Sequence, residues 1–207
     1  SCRIKKVLFN GQKPESVKQA PCIKKNEAFK TSGQVQYVAQ NGNFRKKGLE
    51  YTGALEILKV ILSYDYLWIN LRVKGGAYGC MSGFKRNGES FLVSYRDPHL
   101  KRTLEVYQGV PDYIRAFEAD EREMTKYIIG TISNMDVPMT PATKGERSMN
   151  LYMNHVSKEM IEQERKEVLD AKVSDIRALA DIVEAVLKAG DLCVVGSEEK
   201  IEAQKEL

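Results

Sequence analysis

The stretch GALEILKVILSYDYLWINLRVKGGAYG, residues 53–79, decides the fold. Its length and near-continuous apolar character predict one long helix, with Thr52 as N-cap and Gly75 as the left-handed residue that ends it. At about 100° per residue, Glu56, Lys59, Ser63, Asn70 and Lys74 gather on one narrow side. The remaining positions are mostly apolar, so the helix is expected to be buried around a thin wet stripe. Asp65 and Arg72 break that pattern. They stand roughly 10 Å apart along the axis and project away from the wet side, among Ala54, Leu58, Ile61 and Ile69.

Upstream, QVQYVA at 34–39 alternates and is rich in strand-forming residues, and NGN at 41–43 marks its end. Downstream, residues 77–85 and 90–96 flank RNGE, where Asn87-Gly88 predicts a hairpin with a two-residue type I′ turn. That register sets Phe84 opposite Phe91, Ser82 opposite Val93 and Cys80 opposite Tyr95. Tyr78 then falls on the apolar side, pointing inward or into a cleft. Asp97-Pro98 predicts the start of a helix reaching Phe117, and Asp120 with Glu123 forms a capping box for another ending near Ser133. A long charged helix is expected over 142–171, and one capped by Ser174 ends before Gly190. A short strand at 192–195 and a terminal helix complete the order. This is an α+β chain, an antiparallel sheet with helices packed on it. Residues 1–25, carrying NGQKPES, read as a linker arm from an upstream domain, and residues 26–207 as a single domain.

The composition, 43% apolar and 29% charged, is that of a folding chain and excludes disordered and collagen-like classes. A net charge of +4 from scattered basic pairs does not make a phosphate-tracking stripe, so nucleic-acid binding is not expected. Cys2, Cys22, Cys80 and Cys193 have neither metal-ligand nor disulfide-framework spacing, which favours free thiols in a reducing compartment. Neither a secretion signal nor a membrane span is read. A cytoplasmic setting is expected, or an organelle matrix if a targeting segment lies upstream.

Chemistry has few candidates. His99 and His155 have no partner set at zinc spacing, and His155 with Glu159 offers at most two ligands. No GxSxG, GxGxxG or P-loop motif occurs. Arg72 and Tyr78 remain, a planar cation and a phenol suited to donate to a carbonyl oxygen gaining charge. The glycine pair between them permits a reversal that brings both to one cleft, with Cys80, Tyr95 and Arg96 nearby. The same residues also fit a purely structural reading: a cation at a helix C-terminus, a glycine cap and a core tyrosine.

NEAF at 26–29, QVQYVAQNGNF at 34–44, LSYDYLW at 62–68, LRVKGGAYG at 71–79, SYRDPHL at 94–100, DVPMTP at 136–141 and KGERS at 144–148 resemble the insulinase (pitrilysin) family of zinc metallopeptidases. The likeness is to the last of four α+β domains in the presequence-protease-like members. It implies a peptide chamber closed by two halves. The first domain would carry a His-x-x-Glu-His zinc motif, and this fourth domain would contribute Arg72 and Tyr78 as catalytic residues. This chain contains no such motif, so the resemblance puts zinc outside it and makes the fragment alone inactive. Its implied partners are short unstructured peptides and the N-terminal half of the same protein. Asp65 is read as a structural acceptor for backbone or tyrosine donors. The alternative is a catalytically inactive homologue acting as a binding or assembly subunit.

Overall fold

A computed structural model describes residues 26–189 and 191–204. The expected linker arm of residues 1–25, with Cys2 and Cys22, lies outside them.

The apolar stretch forms α1, Ala54–Ile61, which runs on without a break into two π-helical segments, Leu62–Tyr66 and Trp68–Val73. Two bonds spanning five residues, Leu67 N–H to Leu62 O and Lys74 N–H to Ile69 O, mark the wider turns. The first half is buried as expected, with Leu55, Ile57, Leu58 and Ile61 fully enclosed. Beyond Leu62 the extra residue per turn shifts the phase. Leu67 and Leu71 stay buried, while Tyr64, Trp68, Ile69 and Val73 come to the surface. Arg72 is exposed with them rather than facing an apolar interior.

Strands β1 (Glu27–Thr31), β2 (Gln36–Asn43), β3 (Gly79–Phe84), β4 (Glu89–Asp97) and β5 (Asp191–Ser197) form a sheet in the order β1-β5-β2-β4-β3. The antiparallel expectation holds for β5-β2, β2-β4 and β4-β3, and a parallel β1-β5 pair is added at one edge. β1 was not read from the sequence. Its pattern is mostly exposed, so it lacks the apolar alternation of a half-buried strand. NGN does not end β2 but belongs to it, because Asn41, Gly42 and Asn43 pair with Phe91, Ser90 and Glu89.

The hairpin loop holds three residues, Arg86-Asn87-Gly88, not two. Lys85 N–H donates to Glu89 O at 2.8 Å, and within the loop only Gly88 has positive φ, at 88°. The register therefore moves by one: Phe84 lies opposite Ser90, Ser82 opposite Leu92 and Cys80 opposite Ser94. A second irregularity lies in β4, where Tyr95 and Arg96 together stand opposite Tyr37 and Arg96 has φ of 49°. It is a β-bulge.

The helices are α2 (Lys101–Gln108), α3 (Val110–Arg115), α4 (Glu121–Met135), α5 (Pro141–Met153), α6 (Lys158–Leu169), α7 (Val173–Ala178), α8 (Ala180–Ala189) and α9 (Glu198–Glu202). The capping box of Asp120 and Glu123 is present on α4. The long helix expected over 142–171 is two, because the chain breaks at Asn154-His155-Val156 with His155 at φ 55° and Ser157 caps α6. His155 therefore sits in a turn, and α5 has no buried residue. Helix α7 starts after Lys172, whose N–H bonds Asp175, so Ser174 is not its cap. One hydrophobic cluster joins α1, α2, α3, α7 and α8 to Val38, Leu92 and Val194 on one face of the sheet.

Candidate functional site

Helix end, glycine pair and bulge together place Arg72 and Tyr78. Gly76 N–H bonds Arg72 O and Ala77 N–H bonds Leu71 O, both at 2.9 Å, and the chain reverses there. The two glycines are needed for different reasons. Gly76, not Gly75, takes the left-handed conformation, with φ of 77°. Gly75 lies so close to the helix end that a Cβ would come within 2.4 Å of Leu71 O.

Of the two orientations expected for Tyr78, inward or into a cleft, burial in the core is excluded, since the residue is 61% exposed. Its N–H points between two carbonyls of the bulge, Tyr95 O at 3.1 Å and Arg96 O at 3.3 Å. That pairing breaks the alternation that would have carried Tyr78 to the side of Ser82 and Phe84. Its ring meets Tyr95 edge-on at 5.4 Å, and Tyr95 meets Tyr37 at the same distance. The Arg72 guanidinium lies 4.2 Å from the Trp68 ring centre and 5.7 Å from that of Tyr78, within cation–π range of both. Arg96 stands 5.9 Å from the Tyr78 ring and 6.0 Å from the Tyr95 ring. The structure thus brings Arg72 and Tyr78 together, on an exposed patch of aromatic rings and two cations.

Supports run beneath this patch. Asp97, buried directly after the bulge, accepts from Thr103 Oγ at 2.6 Å and His99 N–H at 2.8 Å, which ties β4 to the start of α2. Burial, opposed by the Arg72 charge and reinforced by Asp97, pushes the Cys80 thiol up to about 11. Asp65 accepts from Tyr127 on α4, the structural role expected of it. The Tyr127 phenol is pushed above its ordinary range by burial and by that bond. Trp68 and Tyr37 were missed as members of the patch. Trp68 was findable four residues before Arg72, at helical stacking distance; Tyr37 had only strand alternation to mark it.

A groove of about 1000 Å3 lies elsewhere, between the hairpin loop and the α5–α6 pair, where Arg86 binds Glu164 and Tyr51 donates to Glu164 at 2.5 Å. Neither Arg72 nor Tyr78 lines it. Among the described residues no three His, Cys, Asp or Glu side chains gather into a metal-ligand set, so they do not fit a zinc site. Nor is any described helix long and apolar enough to cross a membrane.

Comparison with known proteins agrees with this architecture. The family model described as PreP C-terminal domain matches residues 26–198. Protein HypA of Clostridium perfringens is 48% identical over 184 residues, covering 89% of this chain and 19% of that protein. Presequence protease 1, chloroplastic/mitochondrial, of Arabidopsis thaliana is 35% identical over 180 residues, covering 86% of this chain and 17% of that protein. The chain therefore spans less than a fifth of these relatives' length. Among solved structures, a peptidase M16 inactive domain from Pseudomonas fluorescens superposes with a TM-score of 0.66 at 14% identity, over 94% of this chain and 48% of that one. An inactive peptidase domain from Bordetella parapertussis superposes with a TM-score of 0.59 at 13% identity, over 80% and 92%. These two likenesses concern the fold. The chain belongs to the PreP C-terminal domain family.

Proposed function

We propose that this domain supplies the substrate-facing half of a split peptidase active site, with Arg72 and Tyr78 as its catalytic residues. The observation that carries the reading is the pairing of an exposed guanidinium and an exposed phenol across Gly75-Gly76. Both side chains are exposed, and backbone hydrogen bonds fix the chain reversal between them. The Tyr78 hydroxyl donates to the scissile carbonyl oxygen as charge develops on it. Arg72 holds a neighbouring substrate carbonyl and adds positive potential. Metal and general base belong to the part of the protein outside this chain, which is the partner this face would meet. The substrates are short unstructured peptides, because only an extended backbone offers its carbonyls to side chains on an open face. An aqueous setting follows, cytoplasm or organelle matrix.

The test is Tyr78→Phe in the full-length enzyme. Turnover should fall by about 100-fold, the usual loss for one oxyanion donor, while bound zinc is unchanged; normal turnover would refute the assignment. The alternative, an inactive homologue serving in assembly, makes a separate demand. A full-length protein whose upstream sequence lacks His-x-x-Glu-His would establish it.

A further inference from the structure

Arg96 has no part in the reading above, yet its placement is more constrained than that of Arg72. It occupies a β-bulge at φ of 49°, a conformation costly for a side chain of its size and typical of strand irregularities beside functional sites. The adjoining Asp97 is buried and doubly bonded, so the bulge is fixed on its C-terminal side. On the other side, Tyr95 and Arg96 both offer their carbonyls to Tyr78 N–H. The Arg96 guanidinium leans over the Tyr78 and Tyr95 rings, so Tyr78 carries one arginine from the helix end and another from the bulge.

Among the described residues Arg72 and Arg96 share the absence of a carboxylate partner with Arg102, Arg122 and Arg147, but these two alone lie over one ring, that of Tyr78. Arg45, Arg86, Arg115, Arg165 and Arg177 each bind a carboxylate within the described residues. Neither Arg72 nor Arg96 has one within 4.0 Å among those residues. Two like charges share one ring without an internal counter-ion, on an exposed face. Their repulsion is relieved when an anion arrives, and a guanidinium beside aromatic walls is suited to bind a carboxylate by two parallel hydrogen bonds.

Resting on the reading of Tyr78 as substrate-facing, we propose that Arg96 is a specificity-determining residue that receives a peptide carboxylate beside the scissile bond. Two sources share that chemistry, an Asp or Glu side chain and the peptide's own C-terminus. Arg72 remains with the carbonyl oxygen, so the two cations divide the substrate between them.

The experiment uses the full-length enzyme and matched peptides. One pair differs only in a free or amidated C-terminus; a second series exchanges Asp for Asn and Glu for Gln at each position around the cleavage site. The wild-type enzyme should favour one carboxylate-bearing set in kcat/KM by about tenfold, the size expected of a charge-assisted bond, and the series that responds identifies the source. The preference should weaken with added salt. Arg96→Asn, whose residue tolerates the left-handed backbone, should bring the acid-to-amide ratio close to one, whereas a merely structural role would lower both members equally. A wild-type ratio near one in both series overturns the inference without need of any variant, and so does an unaltered ratio in Arg96→Asn. Failure of the functional reading is separate, since it shows as normal turnover in Tyr78→Phe.

Discussion

At Gly75 and Gly76 two adjacent glycines meet different constraints, and their substitutions should differ accordingly. An alanine at 75 would drive its Cβ into Leu71 O and Asn70 O, an overpacking against backbone that should cost about 3 kcal/mol. An alanine at 76 meets only Pro98 Cγ at 3.5 Å and must instead accept positive φ, at about 1 kcal/mol. Urea unfolding of the two variants should rank them in that order; the reverse order would place the strain in the φ angle instead of in the close approach. Cys80 reports on Arg72 from below. Burial raises its thiol to about 11 and the Arg72 charge opposes the rise. Alkylation near neutral pH should therefore be slow and should accelerate only at strongly alkaline pH. Arg72→Ala should slow it further at any given pH; a faster reaction would mean that Arg72 is not near the thiol.

At the level of elements, α1 depends on α6 for its N-terminus. Thr52 and Gly53 precede the helix, and Glu167 of α6 accepts from Gly53 N–H at 2.6 Å and Thr52 Oγ at 3.1 Å. Burial works against the Glu167 charge. The bonds from Gly53, Gln163 and Thr52 outweigh it and hold the carboxyl below its usual 4.5. A lowered folded-state pKa gives stability that is present above the unfolded value and is lost as pH falls through the folded one. The urea midpoint should thus decline as the medium is acidified below 4.5. Glu167→Gln should already have lost about 1–2 kcal/mol at neutral pH and should show a flatter acid limb. An unchanged acid limb would remove Glu167 from the cap. The α5–α6 joint gives a second test. His155 holds φ of 55° where glycine is unstrained, so His155→Gly should raise the unfolding free energy from urea titration slightly, by about 0.5–1 kcal/mol.

Across the whole molecule, the buried cluster joins α1, α3 and α8 to one face of the sheet, while α5 buries nothing. Amide exchange should therefore be slowest in α1, β2 and β4 and fastest in α5. A protected α5 would mean that it packs against something in solution. If metal and general base lie outside this chain, as proposed, the chain on its own should melt at the same temperature with chelator or with added zinc, and it should not hydrolyse peptides that the full-length enzyme cleaves. Hydrolysis by the purified chain would overturn the split-site reading.

The sequence by itself determined the helix at 54–73, the hairpin, the α4 capping box, the α+β class and the pairing of Arg72 with Tyr78 across two glycines. These rest on local periodicity and turn chemistry, which act within a few residues. Tertiary structure decided the π-helical widening that brings Trp68 and Arg72 to the surface, because apolar periodicity looks alike for either pitch until neighbours select a face. It also decided the three-residue loop and the one-step register, since Asn87-Gly88 suits either turn and cross-strand packing chooses. The parallel β1 edge depends on a partner more than 160 residues away. The bulge at Tyr95 and Arg96 depends on Tyr37, Tyr78 and the buried Asp97, three segments that meet only in the folded chain. That convergence is what leaves Tyr78 exposed, where the sequence alone allowed either a core or a cleft position.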